Sequence, residues 1–291
     1  MKNAKEKILY VAVMALYGTT GILKRYVPLS SEMVSFVRAV IGSVFIYLFI
    51  LLTGKKIDAT AVKKNFKWIL IVGILLGFNW ICYFEACMYA TVAKASLCYY
   101  MAPVIVILVS PVIFKEKLST RKIICVVTAI IGMVLVSGVI SDKGITSPRG
   151  IAMGLLAALI YASIVICSRQ VKDISALDKT LVQLAIASVC LFFYVLAKNG
   201  FSQKTDMNTT AWIVLIIIGI LNTGIAYIIY FGSITKLKAQ TVAIFAYADP
   251  AVSVLLSALV LKEPLGIYGI VGALLIIGSM MLSEVENTKG T

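Results

Sequence analysis

The chain has 291 residues, of which 61% are hydrophobic and 14% charged. Soluble domains are nearer half apolar and about a quarter charged, so the balance excludes an ordinary water-soluble fold. A formal net charge of +14 would suit nucleic acid, but the basic residues flank apolar blocks as they do in membrane proteins, and the expected partner is a lipid bilayer, not nucleic acid.

Histidine is absent, which removes histidine metal ligands, histidine-based triads and histidine proton relays. Cys82, Cys87, Cys98, Cys125, Cys167 and Cys190 lie inside apolar blocks without disulfide or zinc spacing. No metal or cofactor is expected. A membrane enzyme would need a cluster of acids or a metal site, and neither is visible, so the chain does not read as an enzyme.

In chain order, Met1 to Lys7 is short and basic. The apolar run from Ile8 continues to Val27 without a small-residue cleavage site, and it reads as a retained first span. Apolar blocks of about 20 residues cross a bilayer. Ten are predicted, at about 8–27, 34–53, 68–90, 93–114, 121–140, 148–168, 180–198, 211–235, 239–261 and 266–283. Ser141 to Arg149, with Gly144 and Pro148, reads as the linker between halves 1–140 and 148–283.

Basic clusters at Lys55–Lys67, Lys115–Lys122 and Lys236–Lys238 fall on the side of the N-terminus. The positive-inside rule then predicts a multi-pass protein of the cell (plasma) membrane with both termini cytoplasmic.

Two stretches repeat each other, Gly77 to Leu118 and Gly224 to Leu265. The offset pairs Tyr83-Phe84 with Tyr230-Phe231, Tyr100 with Tyr247, Pro103 with Pro250 and Lys115-Glu116 with Lys262-Glu263. Tyr17 and Arg25 match Tyr161 and Arg169 in spacing. Five spans per half is an odd number, so the second half inserts upside down. The predicted fold is therefore all-α and membrane-integral, with two inverted five-helix repeats around a central cavity.

Pro103 and Pro250 fall inside spans four and nine and predict helix kinks that leave the Tyr99 and Ala246 carbonyls underused. Asp249, just before Pro250, is an acid at mid-span on a face with Phe245, Ser253 and Ser257. A charge at that depth is costly unless paired, protonated or hydrated, so it reads as a substrate-cation or proton site or as a structural ion pair. Glu85 is the other proton-coupling candidate, with a structural pair to Lys94 as the alternative. Glu32 and Arg38 flank the start of span two and read as interfacial, and Lys24 and Arg25 read as snorkelling side chains.

Tyr17, Asn79, Tyr83, Tyr100, Tyr161, Asn222, Tyr227 and Tyr247 lie inside spans. Hydroxyls and amides at such depth need partners, and as a set they suit a pocket for an amphipathic or cationic ligand. Packing is the alternative for each alone. The Lys-Glu pairs after spans four and nine read as structural hinges, each carboxylate capping the next helix.

Together these features resemble the EamA family of the drug/metabolite transporter superfamily. The motifs are P-V-I-V-I-L-V-S-P-V-I-F-K-E-K-L from Pro103, P-A-V-S-V-L-L-S-A-L-V-L-K-E-P-L from Pro250, and Phe36-Val37-Arg38 in span two. Glycines follow in the last span of each half, Gly132 and Gly138, then Gly269, Gly272 and Gly278. The resemblance implies a ten-span fold, a central cavity and alternating access, with export, less often uptake, of amino acids, other small metabolites or drugs. Small multidrug relatives carry an essential Glu in the first span, and span one here has no acid. No GxxxxGK[ST] motif is present, so the expected function is gradient-driven: secondary transport of a small metabolite, with Asp249 or Glu85 carrying the proton if protons are coupled. Multidrug export of lipophilic cations is the alternative. A monomer or homodimer would suffice.

Overall fold

The computed structural model describes residues 3–90, 92–136, 147–198, 200–202, 206–261 and 267–284. Residues 141–146 of the expected linker and the Lys262-Glu263 pair lie outside the described residues, as do the side chains of Ser253 and Ser257. No strand is present among the described residues. The helices are α1 (Ala4–Lys24), α2 (Ser31–Leu52), α3 (Ala59–Tyr89), α4 (Val92–Tyr99), α5 (Ala102–Phe114), α6 (Thr120–Val136), α7 (Pro148–Ser168) and α8 (Ala176–Ala197). After a single 3-10 turn at Gly200–Ser202 come α9 (Thr209–Gly219), a π-helical segment (Ile220–Ile225), α10 (Ala226–Ile234), α11 (Ala239–Ala246), α12 (Ala248–Leu261) and α13 (Ile267–Glu284).

Among the described residues seven helical stretches are long and apolar enough to cross a membrane: Ala4–Lys24, Ser31–Leu52, Ala59–Tyr89, Lys94–Phe114, Pro148–Ser168, Ala176–Ala197 and Thr209–Ile234. Leu108, Val112, Leu159, Phe193, Leu259 and Leu274 point outward and stay exposed, which only a hydrocarbon environment makes favourable.

The helix starts are set by side chains that satisfy otherwise unpaired N–H groups. Ser30 accepts from Met33 N, Asp58 from Ala61 N, Ser147 from Gly150 N, Ser175 from Asp178 N and Asn208 from Ala211 N. In the centre, α3 packs on α7 and α8, and α2 packs on α8. Gly73 makes the α3–α8 approach close: a Cβ there would lie 2.8 Å from Ile186 Cβ. At another edge α6 lies on α13, where a Cβ on Gly132 would sit 2.7 Å from the Gly272 carbonyl oxygen.

The prolines do more than kink. Each expected span divides into two helices, α4 and α5 on either side of Tyr100-Met101, and α11 and α12 on either side of Tyr247. Pro103 sits in the first turn of α5 and Pro250 in the first turn of α12, where a missing N–H costs nothing. The two breaks meet: the Tyr247 hydroxyl donates to the Tyr100 carbonyl at 3.1 Å. The π-helical segment was not foreseen. Its Thr223 hydroxyl donates to the Ile218 carbonyl at 2.9 Å, filling an acceptor that the widened turn changes.

Candidate functional site

A narrow cavity opens where α1, α3, α4, α7 and α10 converge. It is lined by Tyr17, Leu76, Asn79, Tyr99, Tyr161, Ile164, Tyr227 and Tyr230 and has a cavity volume of about 20 Å³. The walls stand so close that a water molecule fits but a metabolite does not.

The wall is held by hydrogen bonds between helices. Asn79 Nδ2 donates to the Ala157 carbonyl at 2.7 Å, and its Oδ1 accepts from the Tyr99 hydroxyl at 3.3 Å. The Tyr230 hydroxyl donates to Tyr161 Oη at 2.9 Å. The rings form a continuous set: Tyr83 to Tyr99 at 5.1 Å, Tyr99 to Tyr161 at 5.7 Å, Tyr17 to Tyr227 at 5.6 Å and Tyr10 to Tyr230 at 5.8 Å between centroids. Such faces bind apolar and cationic groups, and the hydroxyls bind polar ones.

Of the residues singled out from sequence, Tyr17, Asn79, Tyr161 and Tyr227 line this cavity. Tyr83 stands behind Tyr99 and shares a hydrogen bond with Ser96 at 2.9 Å. Tyr100 lies at the α4–α5 break beside Asp249. Asp249 is in the first turn of α12, where the aligned peptide dipoles favour a carboxylate, and it keeps partial exposure.

Two residues go elsewhere. Asn222 sits in the π-helical segment and donates to Leu16 O, Thr19 Oγ1 and Thr20 Oγ1 at 2.8–3.1 Å, docking that segment on α1. Tyr247 is fully buried in a small cluster with Ala129, Met133, Ala251, Ala273 and Ile276, outside the cavity wall.

Ionic groups gather at both ends of α7. At one end Glu85, 7% exposed, accepts from the Tyr194 hydroxyl at 2.7 Å and pairs with Lys198 at 2.8 Å and Arg149 at 3.4 Å. The carboxylate holds the Lys198 ammonium above the usual lysine range. The ion pairs described for Glu85 are thus with Arg149 of α7 and with Lys198 at the end of α8. At the other end Glu116 pairs with Arg169 at 3.3 Å. It also accepts from the backbone N–H groups of Ala239 at 2.9 Å and Gln240 at 3.3 Å. Glu116 does cap a helix, but α11 far along the chain, not the next helix α6. Arg149, the second residue of α7, and Arg169, its C-cap, stand about 30 Å apart along the helix at 1.5 Å per residue.

Two charged side chains near helix ends have partners within the chain. The Lys24 ammonium donates to the carbonyls of Val27 at 3.3 Å and Leu29 at 2.8 Å. The Arg38 guanidinium lies 4.3 Å from the Trp80 ring centroid and beside Tyr227.

Tyr10, Trp80, Tyr99 and Tyr230 were missed as site residues. The repeat carries a signal for two of them, because the Gly77-to-Gly224 offset places Tyr230 opposite Tyr83 and Trp80 opposite Tyr227. Among the described residues no group of acids and cysteines has metal-holding geometry.

A family model described as the EamA-like transporter family matches residues 5–138 and again 148–284. The uncharacterized transporter YxxF of Bacillus subtilis (strain 168) is 26% identical over 290 residues, covering 98% of this chain and 92% of the relative. An uncharacterized transporter of Archaeoglobus fulgidus is 24% identical over 292 residues, covering 98% of both chains. A solved crystal structure superposes on 97% of this chain and 98% of its own with a TM-score of 0.82 at 18% identity, a likeness of fold alone.

Proposed function

This chain belongs to the EamA-like transporter family, and from that premise we propose that it is a gradient-driven secondary transporter that exports a small polar metabolite such as an amino acid by alternating access. The observation that carries the reading is the tyrosine-walled cavity lying between two ionic clusters at opposite ends of α7. Ion pairs at both ends and a cavity too tight for a metabolite fit an occluded conformation. Opening inward breaks the Glu116–Arg169 contact, and opening outward breaks the contacts of Glu85.

The packing supports ten crossings arranged as two inverted halves, 1–140 and 148–283. α1 packs on α10 and α12 as α7 packs on α3 and α5. Pairs also form across the halves, α2 with α8, α5 with α11 and α6 with α13. Reciprocal packing of this kind lets one half rock against the other around a fixed site. Both termini then face the cytoplasm in the plasma membrane, and one chain suffices to enclose the cavity.

Asp249 is the residue that takes a substrate cation or a proton. It lies at a helix break, partly exposed, with the Tyr100 hydroxyl beside it. Glu85, tied to two cations and a tyrosine, serves the outer closure instead of carrying protons.

The test is a thermal-shift screen of the purified protein against amino acids, amines and lipophilic cations, repeated with Asp249→Asn. Ligands that bind only the folded state raise its midpoint. Compounds that stabilise are then tested for counterflow in proteoliposomes. Stabilisation by one metabolite class, with counterflow lost in the variant, is the expected result. Stabilisation by many unrelated cations would replace this reading with multidrug export, and unchanged counterflow in the variant would remove Asp249 from the site.

A further inference from the structure

Arg38 is the eighth residue of α2, about 10 Å along the helix from its start at 1.5 Å per residue. Its surroundings are apolar and aromatic. The guanidinium lies over the Trp80 ring at 4.3 Å, next to Tyr227 and within electrostatic range of Tyr17, two residues of the cavity wall. Its Nε is buried without a hydrogen-bond partner.

Two other arginines provide the comparison. Arg149 combines the ring of Tyr89 at 4.1 Å with the carboxylate of Glu85. Arg169 combines the ring of Phe114 at 4.3 Å with the carboxylate of Glu116. Arg38 has the aromatic platform, but among the described residues no carboxylate pairs with it. The acids in ion pairs are engaged elsewhere: Glu85 with Lys198 and Arg149, Glu116 with Arg169, Glu6 with Lys236 and Asp173 with Lys64. A cation–π contact offsets part of the desolvation of a guanidinium but uses none of its five N–H donors; Tyr227 takes a hydrogen bond from this group, and Nε is left without a partner. An intramembrane charge without a counter-ion from its own chain marks a functional position.

We propose that Arg38 is the carboxylate-binding residue of the transport site and that the transported class is carboxylate-bearing metabolites, an inference that rests on the transport reading above. The planar guanidinium fork matches a carboxylate with two parallel hydrogen bonds. The body of the substrate lies along Tyr17, Tyr227 and Tyr161, and an ammonium group on it is met by Asp249. An amino acid satisfies both ends. A lipophilic cation satisfies only one and is repelled by Arg38.

The test compares matched ligands that differ only in the carboxylate: L-leucine with isopentylamine, L-phenylalanine with phenethylamine and L-lysine with cadaverine, plus succinate and tetraphenylphosphonium. Each is titrated into purified full-length protein, and thermal stabilisation is read for the parent, Arg38→Lys and Arg38→Gln. At least one carboxylate is expected to stabilise the parent while its decarboxylated partner does not. Arg38→Lys keeps the charge without the fork and weakens that response about tenfold, and Arg38→Gln weakens it by about tenfold to a hundredfold. The lysine variant keeps the test open where the glutamine variant does not fold.

Equal stabilisation by the amines or by tetraphenylphosphonium would overturn the carboxylate assignment and leave the transport reading standing. So would a carboxylate response that survives both substitutions. No stabilisation of the parent by any of these probes would overturn the assignment together with the small-metabolite reading.

Discussion

Glu116→Ala tests how the two halves of the chain are joined. The Glu116 carboxylate does two things at once. It accepts from Ala239 N and Gln240 N at the start of α11, and it pairs with Arg169 at the end of α7. Losing a helix cap costs about 1 kcal/mol. Removing one partner of a buried ion pair costs about 3–5 kcal/mol, but the Arg169 side chain is 18% exposed and keeps the Phe114 ring beneath it. A loss of about 2 kcal/mol is therefore more reasonable for the pair than the full range. The sum is about 3 kcal/mol, which corresponds to a fall in midpoint of about 6–12 °C for a chain of this size. The assay is thermal unfolding of the purified protein in one detergent. Glu116→Gln, which keeps an acceptor for the α11 N–H groups, is expected to fall by less. The double variant with Arg169→Met should lose less than the two single variants together, because each single variant already breaks the shared pair. An unchanged midpoint for Glu116→Ala, or strict additivity in the double variant, would refute the idea that this carboxylate joins α5, α7 and α11.

A Cβ on residue 132 would stand within 3 Å of the Gly272 carbonyl oxygen and of Ile276 Cγ1, so Gly132→Val should lower stability by about 1–3 kcal/mol or more, and a neutral midpoint would show that α6 and α13 do not pack this closely. Asn65 acts as a peptide surrogate, donating to Lys172 O at 2.8 Å and accepting from Lys172 N at 3.0 Å, so Asn65→Ala should cost about 1–3 kcal/mol, and no change in the unfolding midpoint would refute the pairing. Gln183 is fully buried with neither amide atom hydrogen-bonded. Gln183→Leu should therefore stabilise the chain by about 1 kcal/mol, and a lowered midpoint would show that the amide has partners.

Much of this protein is legible in its sequence because the bilayer is a severe solvent. Backbone polar groups must be paired within the segment, so long apolar runs become helices wherever they occur. That argument alone places α1, α2, α3, α7 and α8 and excludes a soluble fold. The repeat brings Tyr17 and Tyr161 forward as a pair, and both line the cavity. Pro103 and Pro250 mark the regions where helices break, because a proline cannot continue the hydrogen-bond ladder but can start a new helix.

Tertiary structure decided what those residues touch. Glu116 could have capped any nearby helix, and only the meeting of α5 with α11 sends it to Ala239 and Gln240. Asn222 and Tyr83 looked alike as polar groups inside spans, yet one docks α1 and the other stands behind the cavity wall. Arg38 looked interfacial by its place near a helix start, and α3 brought Trp80 beneath it. Hydropathy and local propensity act over a few residues along the chain, whereas the partner of a buried polar group is fixed by which helices pack together, from 42 residues away for Arg38 and Trp80 to more than a hundred for Asn222 and Glu116.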